Sequence, residues 1–118
     1  MGESICMNWI PLTTEEQLQE IVSRSAAVPQ VIFKHSIRCS ISSMVKGRLD
    51  RAKDVANIEF HYLDLINYRS LSNAVATLFG IDHESPQILL IKNGKCVYDE
   101  SHNGIRLDEI VAQEMMSS

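Results

Sequence analysis

One cysteine, Cys39, lies where the sequence favours thiol chemistry. It follows the apolar run 31–33, which predicts a buried strand, and it precedes an amphipathic pattern that predicts a helix. At such a turn, free backbone N–H groups and the positive end of the helix dipole favour the thiolate, and Arg38 adds positive charge. Ser42 stands three residues later, where a dithiol site carries its second cysteine. The pattern therefore predicts a redox centre with a single thiol.

Each of these positions also has a simpler interpretation. A free cysteine is usually a packed structural residue, and Cys39 is assigned the reactive role mainly because of its location. The Ser42 hydroxyl could donate a hydrogen bond to the thiolate, or it could belong to an ordinary exposed serine of the first helical turn. Pro86 follows Ser85 just before a predicted strand, a place that suits a purposeful cis bond, although a trans proline also starts strands.

The remaining cysteines and histidines form no ligand pattern. Cys96 is predicted on a strand and is interpreted as a packed residue, whereas Cys6 could be a resolving or an adventitious thiol. His35, His83 and His102 fall near predicted strand ends or loops and are interpreted as surface residues. No cysteine pair has zinc-like spacing, so we predict no metal site.

Size and composition indicate one soluble domain spanning residues 1–118. Apolar residues make up 45% and charged residues 22% of the chain, as is usual for globular proteins. The net charge of -4 and the scattered basic residues argue against a nucleic-acid partner. We find no apolar stretch long enough to span a membrane and no secretion signal. Three widely spaced cysteines favour a reducing, cytoplasmic location.

The first half of the chain predicts two helices around a strand. A helix should begin at Thr13, which has capping-box spacing to Glu16. A second helix after Cys39 should bury one stripe, made of Ile41, Met44, Val45, Leu49 and Ala52. Because Cys39 lies off this stripe, we expect it to be at least partly exposed.

The second half predicts strands at 58–65 and 87–91 with a helix between them, for which Gly80 suits the C-terminal cap. Asn93 and Gly94 predict a tight hairpin turn. The whole order is a short strand followed by α-β-α-β-α-β-β-α. It predicts an α/β fold with a mixed central β-sheet flanked by helices on both faces.

Two segments carry a resemblance to a known fold. Phe79-Gly80-Ile81, followed by the segment from Ser85 to Gly94, resembles the cis-proline segment and hairpin of thioredoxins. With the element order, this implies a thioredoxin-like fold over nearly the whole chain. Thioredoxins carry a buried Asp in the strand before the cysteine, whereas this chain has Phe33 there.

A closer resemblance lies around the cysteine itself. Residues 34–43, together with 83–87, are similar to the YtxJ-like family of monothiol bacilliredoxins. In that family the motif is usually Cys-Pro-Ile-Ser. Cys39, Ile41 and Ser42 match it, and Ser40 stands where the family has proline.

The resemblance implies that the chain removes bacillithiol from S-bacillithiolated client proteins formed under oxidative stress. The Cys39 thiolate would take over bacillithiol from the client, and a second bacillithiol would then reduce the enzyme. Bacillithiol is thus the expected cosubstrate, and no tightly bound cofactor is expected. The residues expected to bind substrate or stabilise the thiolate are Ser36, Arg38, Ser42, Ser85 and Pro86.

Two other functions stay open at the level of sequence. The chain could be a redox-inactive binding module that uses the thioredoxin scaffold for recognition only. An iron–sulfur carrier is a third interpretation, but one-thiol carriers of this kind usually place Gly-Phe-Ser after the cysteine, and Ser40-Ile41-Ser42 does not match.

Overall fold

The computed structural model describes residues 9–36, 38–50 and 58–116. These residues form five strands and four α-helices in the predicted alternating order. The elements are β1 (Trp9–Pro11), α1 (Glu15–Arg24), β2 (Gln30–His35), α2 (Ser40–Asp50), β3 (Glu59–Asp64), α3 (Arg69–Phe79), β4 (Gln87–Lys92), β5 (Lys95–Ser101), a 3₁₀ turn (His102–Gly104) and α4 (Leu107–Met116).

The strands form one mixed sheet with the spatial order β1-β3-β2-β4-β5. β3 pairs in parallel with both β1 and β2, whereas β4 runs antiparallel to both β2 and β5. Lys34 lies opposite Leu63 of β3 and Gln87 of β4, so the ends of β2 and β3 and the start of β4 share one edge. This edge carries the turn that contains Cys39 and the segment that contains Pro86.

Two buried clusters cover the two faces of the sheet, as the predicted layers require. Phe33 lies in the cluster that α2 and α4 cover, whereas Ile32 lies in the cluster that α1 and α3 cover. Alternate residues of β2 therefore point to opposite layers, and all six of its residues are buried. His35 extends the α2 side of this strand and Lys34 extends the α3 side.

The predicted buried stripe of α2 is partly wrong. Ile41 and Met44 are 39% and 49% exposed, and the buried residues of the helix are Ser42, Val45 and Leu49. Ala52, which completed the predicted stripe, lies outside the described residues. The helix is rotated so that a serine, rather than the apolar side chain before it, faces the sheet.

The turns that set this topology follow local rules. The first capping box is shifted by one residue from the prediction: Thr14 accepts from the N–H of Gln17, whose side chain in turn accepts from the Thr14 N–H. Gly80 caps α3 in the left-handed conformation, as predicted. Asn93 and Gly94 both have positive φ in the hairpin turn between β4 and β5. Within the described ranges, every helix is too short or too polar to cross a lipid bilayer.

Candidate active site

Cys39 lies at the first turn of α2 and is half-buried. Its N–H donates to the Ser36 carbonyl at 3.2 Å, and its own carbonyl accepts from the Ser43 N–H at 3.0 Å. The first bond closes the turn after β2, and the second is the first hydrogen bond of the helix. The thiol therefore lies at the N-terminal end of α2, where the helix dipole favours an anion.

Ser42 is fully buried, so its interpretation as an exposed serine is wrong. Its hydroxyl oxygen accepts from the Ser36 N–H at 3.1 Å and lies 2.6 Å from Nδ1 of His35. His35 is only 3% exposed, which corrects its interpretation as a surface residue. Ser42, at the position where a dithiol site has its second cysteine, thus links the turn before Cys39 to the last residue of β2 by hydrogen bonds.

His35 is packed among aromatic rings. Its ring centroid lies 5.6 Å from that of Phe33 and 5.5 Å from that of Tyr62. Trp9 extends this stack, since its ring lies 5.4 Å from that of Phe33, and its Nε1–H donates to Asp50 at 2.5 Å. Where dithiol thioredoxins carry a buried Asp, this chain therefore has part of an aromatic cluster.

The surroundings of His35 keep its ring neutral at neutral pH. Burial lowers the pKa of His35 and the nearby Lys46 ammonium lowers it further, whereas Asp64 and Asp50 act in the opposite direction. A neutral ring has two tautomers. In one, Nδ1 accepts the Ser42 hydroxyl hydrogen, and in the other Nδ1–H donates to Ser42 and leaves that hydrogen free for another acceptor.

Ser42→Ala should lower the free energy of unfolding by about 1–3 kcal/mol, because it leaves the Ser36 N–H and the His35 ring without their hydrogen-bond partner. Ser43→Ala is the matched control, since Ser43 is the next residue of α2 and is exposed. Urea denaturation of both variants measures the difference. Equal stabilities would show that the buried hydroxyl does not organise the turn.

The Ser85–Pro86 peptide bond is cis, and Pro86 is buried at the start of β4. The Pro86 carbonyl accepts from the N–H of His102 at 2.9 Å, which fixes this segment to the end of β5. The Ser85 hydroxyl is buried and has no hydrogen-bond partner within residues 9–36, 38–50 and 58–116. A buried hydroxyl without a partner is uncommon in folded proteins.

The other predicted site residues are placed as follows. Ser36 is half-buried, and its hydroxyl accepts from the N–H of Arg38 at 3.4 Å. Arg38 is exposed beside Cys39, and so are Ile41 and Met44 on the outer face of α2. The surface around the start of α2 thus carries one cationic and two apolar side chains.

Cys96 has the environment of a packed residue. It is half-buried against the cluster on the α1 and α3 side of the sheet, and its sulfhydryl donates to the Tyr98 carbonyl at 3.3 Å. Burial raises the pKa of Cys96 to about 11, with a further contribution from Asp99. Its thiolate is therefore scarce at neutral pH. Cys6 lies outside the described residues, and the described ones contain no cluster of three or more His, Cys, Asp or Glu suited to a metal.

Solved structures share this architecture. One of them, a protein with a thioredoxin fold, has a TM-score of 0.74 at 24% identity, and the match covers 89% of this chain and 92% of that one. Thioredoxin from Trypanosoma brucei brucei has a TM-score of 0.73 at 13% identity, with 93% of each chain covered. Spinach chloroplast thioredoxin f has a TM-score of 0.71 at 13% identity, covering 98% of this chain and 100% of that one. The protein therefore has a thioredoxin fold, with one thiol at the start of α2.

The family is defined by a second comparison. The model of the monothiol bacilliredoxin BrxC family matches residues 10–110, which is most of the chain. The chain belongs to this family, which confirms the resemblance seen around Cys39 and supports a thiol oxidoreductase of the one-cysteine type.

Proposed function

We propose that the protein removes bacillithiol from S-bacillithiolated proteins through a mixed disulfide on Cys39. The Cys39 thiolate attacks the bacillithiol sulfur of the client disulfide. A Cys39–bacillithiol bond forms, the client sulfur leaves with the electron pair of the broken bond, and the client thiol takes up a proton. A second bacillithiol thiolate then attacks the bacillithiol sulfur on Cys39, which releases oxidised bacillithiol and restores the Cys39 thiolate.

The observation that carries this proposal is the pairing of a half-exposed thiol with a buried serine. Cys39 lies at the N-terminal end of α2, while Ser42, in the place of a resolving cysteine, is held by His35 and Ser36. Serine cannot form the internal disulfide of a dithiol site. Cys96, the other described cysteine, packs against a buried cluster, and its raised pKa makes it a poor nucleophile at neutral pH. The described residues therefore offer no reactive second thiol, and we assign the completion of the cycle to a soluble thiol.

The surrounding groups support roles in binding. Arg38 is exposed next to Cys39 and suits an anionic cosubstrate. The backbone around the cis Ser85–Pro86 bond can pair with an extended client segment. The Ser42 hydroxyl faces His35 and the Ser36 N–H rather than the sulfur, so its role is to hold the turn that carries Cys39. We place this reaction in the cytoplasm, where client thiols are kept reduced.

Exposure to oxidised bacillithiol should add one bacillithiol to the native protein, and peptide mapping should locate it on Cys39. Cys96 should stay unmodified because burial keeps its pKa at about 11. Intact-mass spectrometry followed by digestion measures both. An adduct on a peptide without Cys39 would contradict the assignment. A native protein that takes up no bacillithiol, while its unfolded form does, would favour a redox-inactive binding module.

A further inference from the structure

Lys34 is a buried cation that the proposed exchange does not use. It follows the apolar residues of β2, and like them it is 0% exposed. Nζ donates to the Ser72 carbonyl at 3.1 Å and lies 3.3 Å from Nδ1 of His83. No carboxylate within the described ranges forms an ion pair with it. Burying a charge among neutral partners is costly, so this ammonium requires an explanation.

The lysine fixes the hydrogen-bonding state of His83. Nδ1 of His83 faces both Lys34 Nζ and the Ser72 hydroxyl, each at 3.3 Å. An ammonium can only donate, so Nδ1 must accept, and the neutral ring then carries its hydrogen on Nε2. Burial, Lys34 and, more weakly, Arg69 lower the pKa of His83, while Glu84 raises it. His83 is itself exposed, so its ring presents an N–H donor on an accessible side chain.

The location of this group suggests a ligand. Lys34 lies at the sheet edge that carries Cys39, and His83 precedes the cis Ser85–Pro86 bond by two residues. Arg69, the first residue of α3, is exposed and follows β3 at the same end of the sheet, and its positive charge contributes weakly to lowering the pKa of His83. The neighbouring acid, Glu84, is exposed, and its carboxylate lies 3.6 Å from Nε2 of His102. Three nitrogen groups thus offer donors or positive charge at the end of the sheet where β2 finishes, in a chain whose net charge is -4.

We propose that His83 and Arg69, backed by the buried ammonium of Lys34, form a carboxylate-binding site for the acidic end of the small thiol. The inference rests on the proposed function and extends it, because it separates the binding of the thiol's acid group from the chemistry at Cys39. Bacillithiol ends in a malyl dicarboxylate. The Nε2–H of His83 and the guanidinium of Arg69 can donate to such a group, and its negative charge compensates the uncompensated lysine.

The test compares two substrates that differ only in this acid group. One peptide is capped with bacillithiol, and the same peptide is capped with cysteinyl-glucosamine, which is bacillithiol without its malyl group. The variants are Arg69→Gln and His83→Gln, both at exposed positions, and Lys34→Met. Lys95→Gln is the charge control, because Lys95 is an exposed cation at the hairpin, away from the edge that carries Cys39.

For Arg69→Gln and His83→Gln, we expect KM for the bacillithiol-capped peptide to rise about 3- to 10-fold with little change in kcat, as befits loss of a partly solvated charged hydrogen bond. Lys34→Met should act in the same direction. KM for the cysteinyl-glucosamine cap should stay unchanged in every variant, and Lys95→Gln should match the wild type.

Three results would overturn the proposal. The first is an equal effect on both caps, and the second is an effect of Lys95→Gln as large as that of Arg69→Gln. The third is a wild type that processes both caps with the same KM, which would leave exchange at Cys39 intact while removing the carboxylate site. A wild type that processes neither cap would instead refute the proposed function, and the inference with it.

Discussion

Replacing Cys39 by serine is expected to abolish removal of bacillithiol from a modified client. A serine hydroxyl is not ionised at neutral pH and does not attack a disulfide, so the rate should fall at least about 1,000-fold. The change is small in volume at a half-buried position, and the fold should be retained. Release of bacillithiol from a capped peptide, followed by mass spectrometry, measures the loss.

Cys96→Ser and Cys6→Ser are the matched controls for this experiment. Cys96 packs against the cluster on the α1 and α3 side, and burial raises its pKa to about 11, so its removal should leave exchange at Cys39 unchanged. Activity that survives in Cys39→Ser, or that disappears in Cys96→Ser without loss of folding, would contradict the catalytic assignment. A wild type without exchange activity that binds clients as well as Cys39→Ser does would favour the redox-inactive module.

The element order could be predicted from the sequence because each signal is local. Periods of two and 3.6 residues separate strands from helices, and Asn93-Gly94 requires the positive φ of a tight hairpin. Alternation of helices and strands then leaves few arrangements of the sheet. The position of Cys39 follows from the same reasoning, since it depends only on where β2 ends and α2 begins.

The contacts inside the site could not be predicted in the same way. In α2, Ile41 and Ser42 lie about 100° apart around the helix axis. The spacing of the apolar residues predicted that Ile41 faces the sheet, whereas Ser42 does. Ser42 is buried because His35 and Ser36 satisfy its hydroxyl, and these partners precede the helix. Thr13 and Thr14 are likewise equivalent caps by composition. They differ in the structure because the Thr14 hydroxyl accepts from the Gln17 backbone N–H, whereas Gln17 Oε1 accepts from the backbone N–H of both threonines.

The burial of two polar residues at the end of β2 could not be predicted from the sequence pattern. Lys34 and His35 are the last two residues of β2, whose residues alternate between two buried layers. From the sequence, each could either continue the strand into the interior or lie beyond its end. A charged residue there is normally taken as the strand's exposed end. The structure instead buries Lys34 against Ser72 and His83, which are distant in sequence. That solution depends on tertiary contacts that the local pattern does not contain.

Lys34→Met is expected to stabilise the protein while weakening recognition of the acidic thiol. Burial lowers the pKa of Lys34 from 10.5 to about 8, so the folded state disfavours the charged form. Such a shift corresponds to about 3 kcal/mol of lost stability below the folded pKa. Methionine fills a similar volume without charge, although it gives up the hydrogen bonds to Ser72 and His83. We therefore expect a gain of about 1–3 kcal/mol in unfolding free energy at neutral pH.

The pH dependence of this gain distinguishes the charge from packing. Between pH 8 and 10.5 the unfolded chain keeps the Lys34 proton that the folded chain releases, so the wild type regains stability as pH rises through this interval. The advantage of Lys34→Met should be full below the folded pKa and should shrink towards pH 10.5. Urea denaturation of both proteins at several pH values measures the difference, and Lys95→Met controls for an exposed lysine. A constant difference across this interval would mean that Lys34 is not buried as a cation, which would remove the electrostatic support for the carboxylate site.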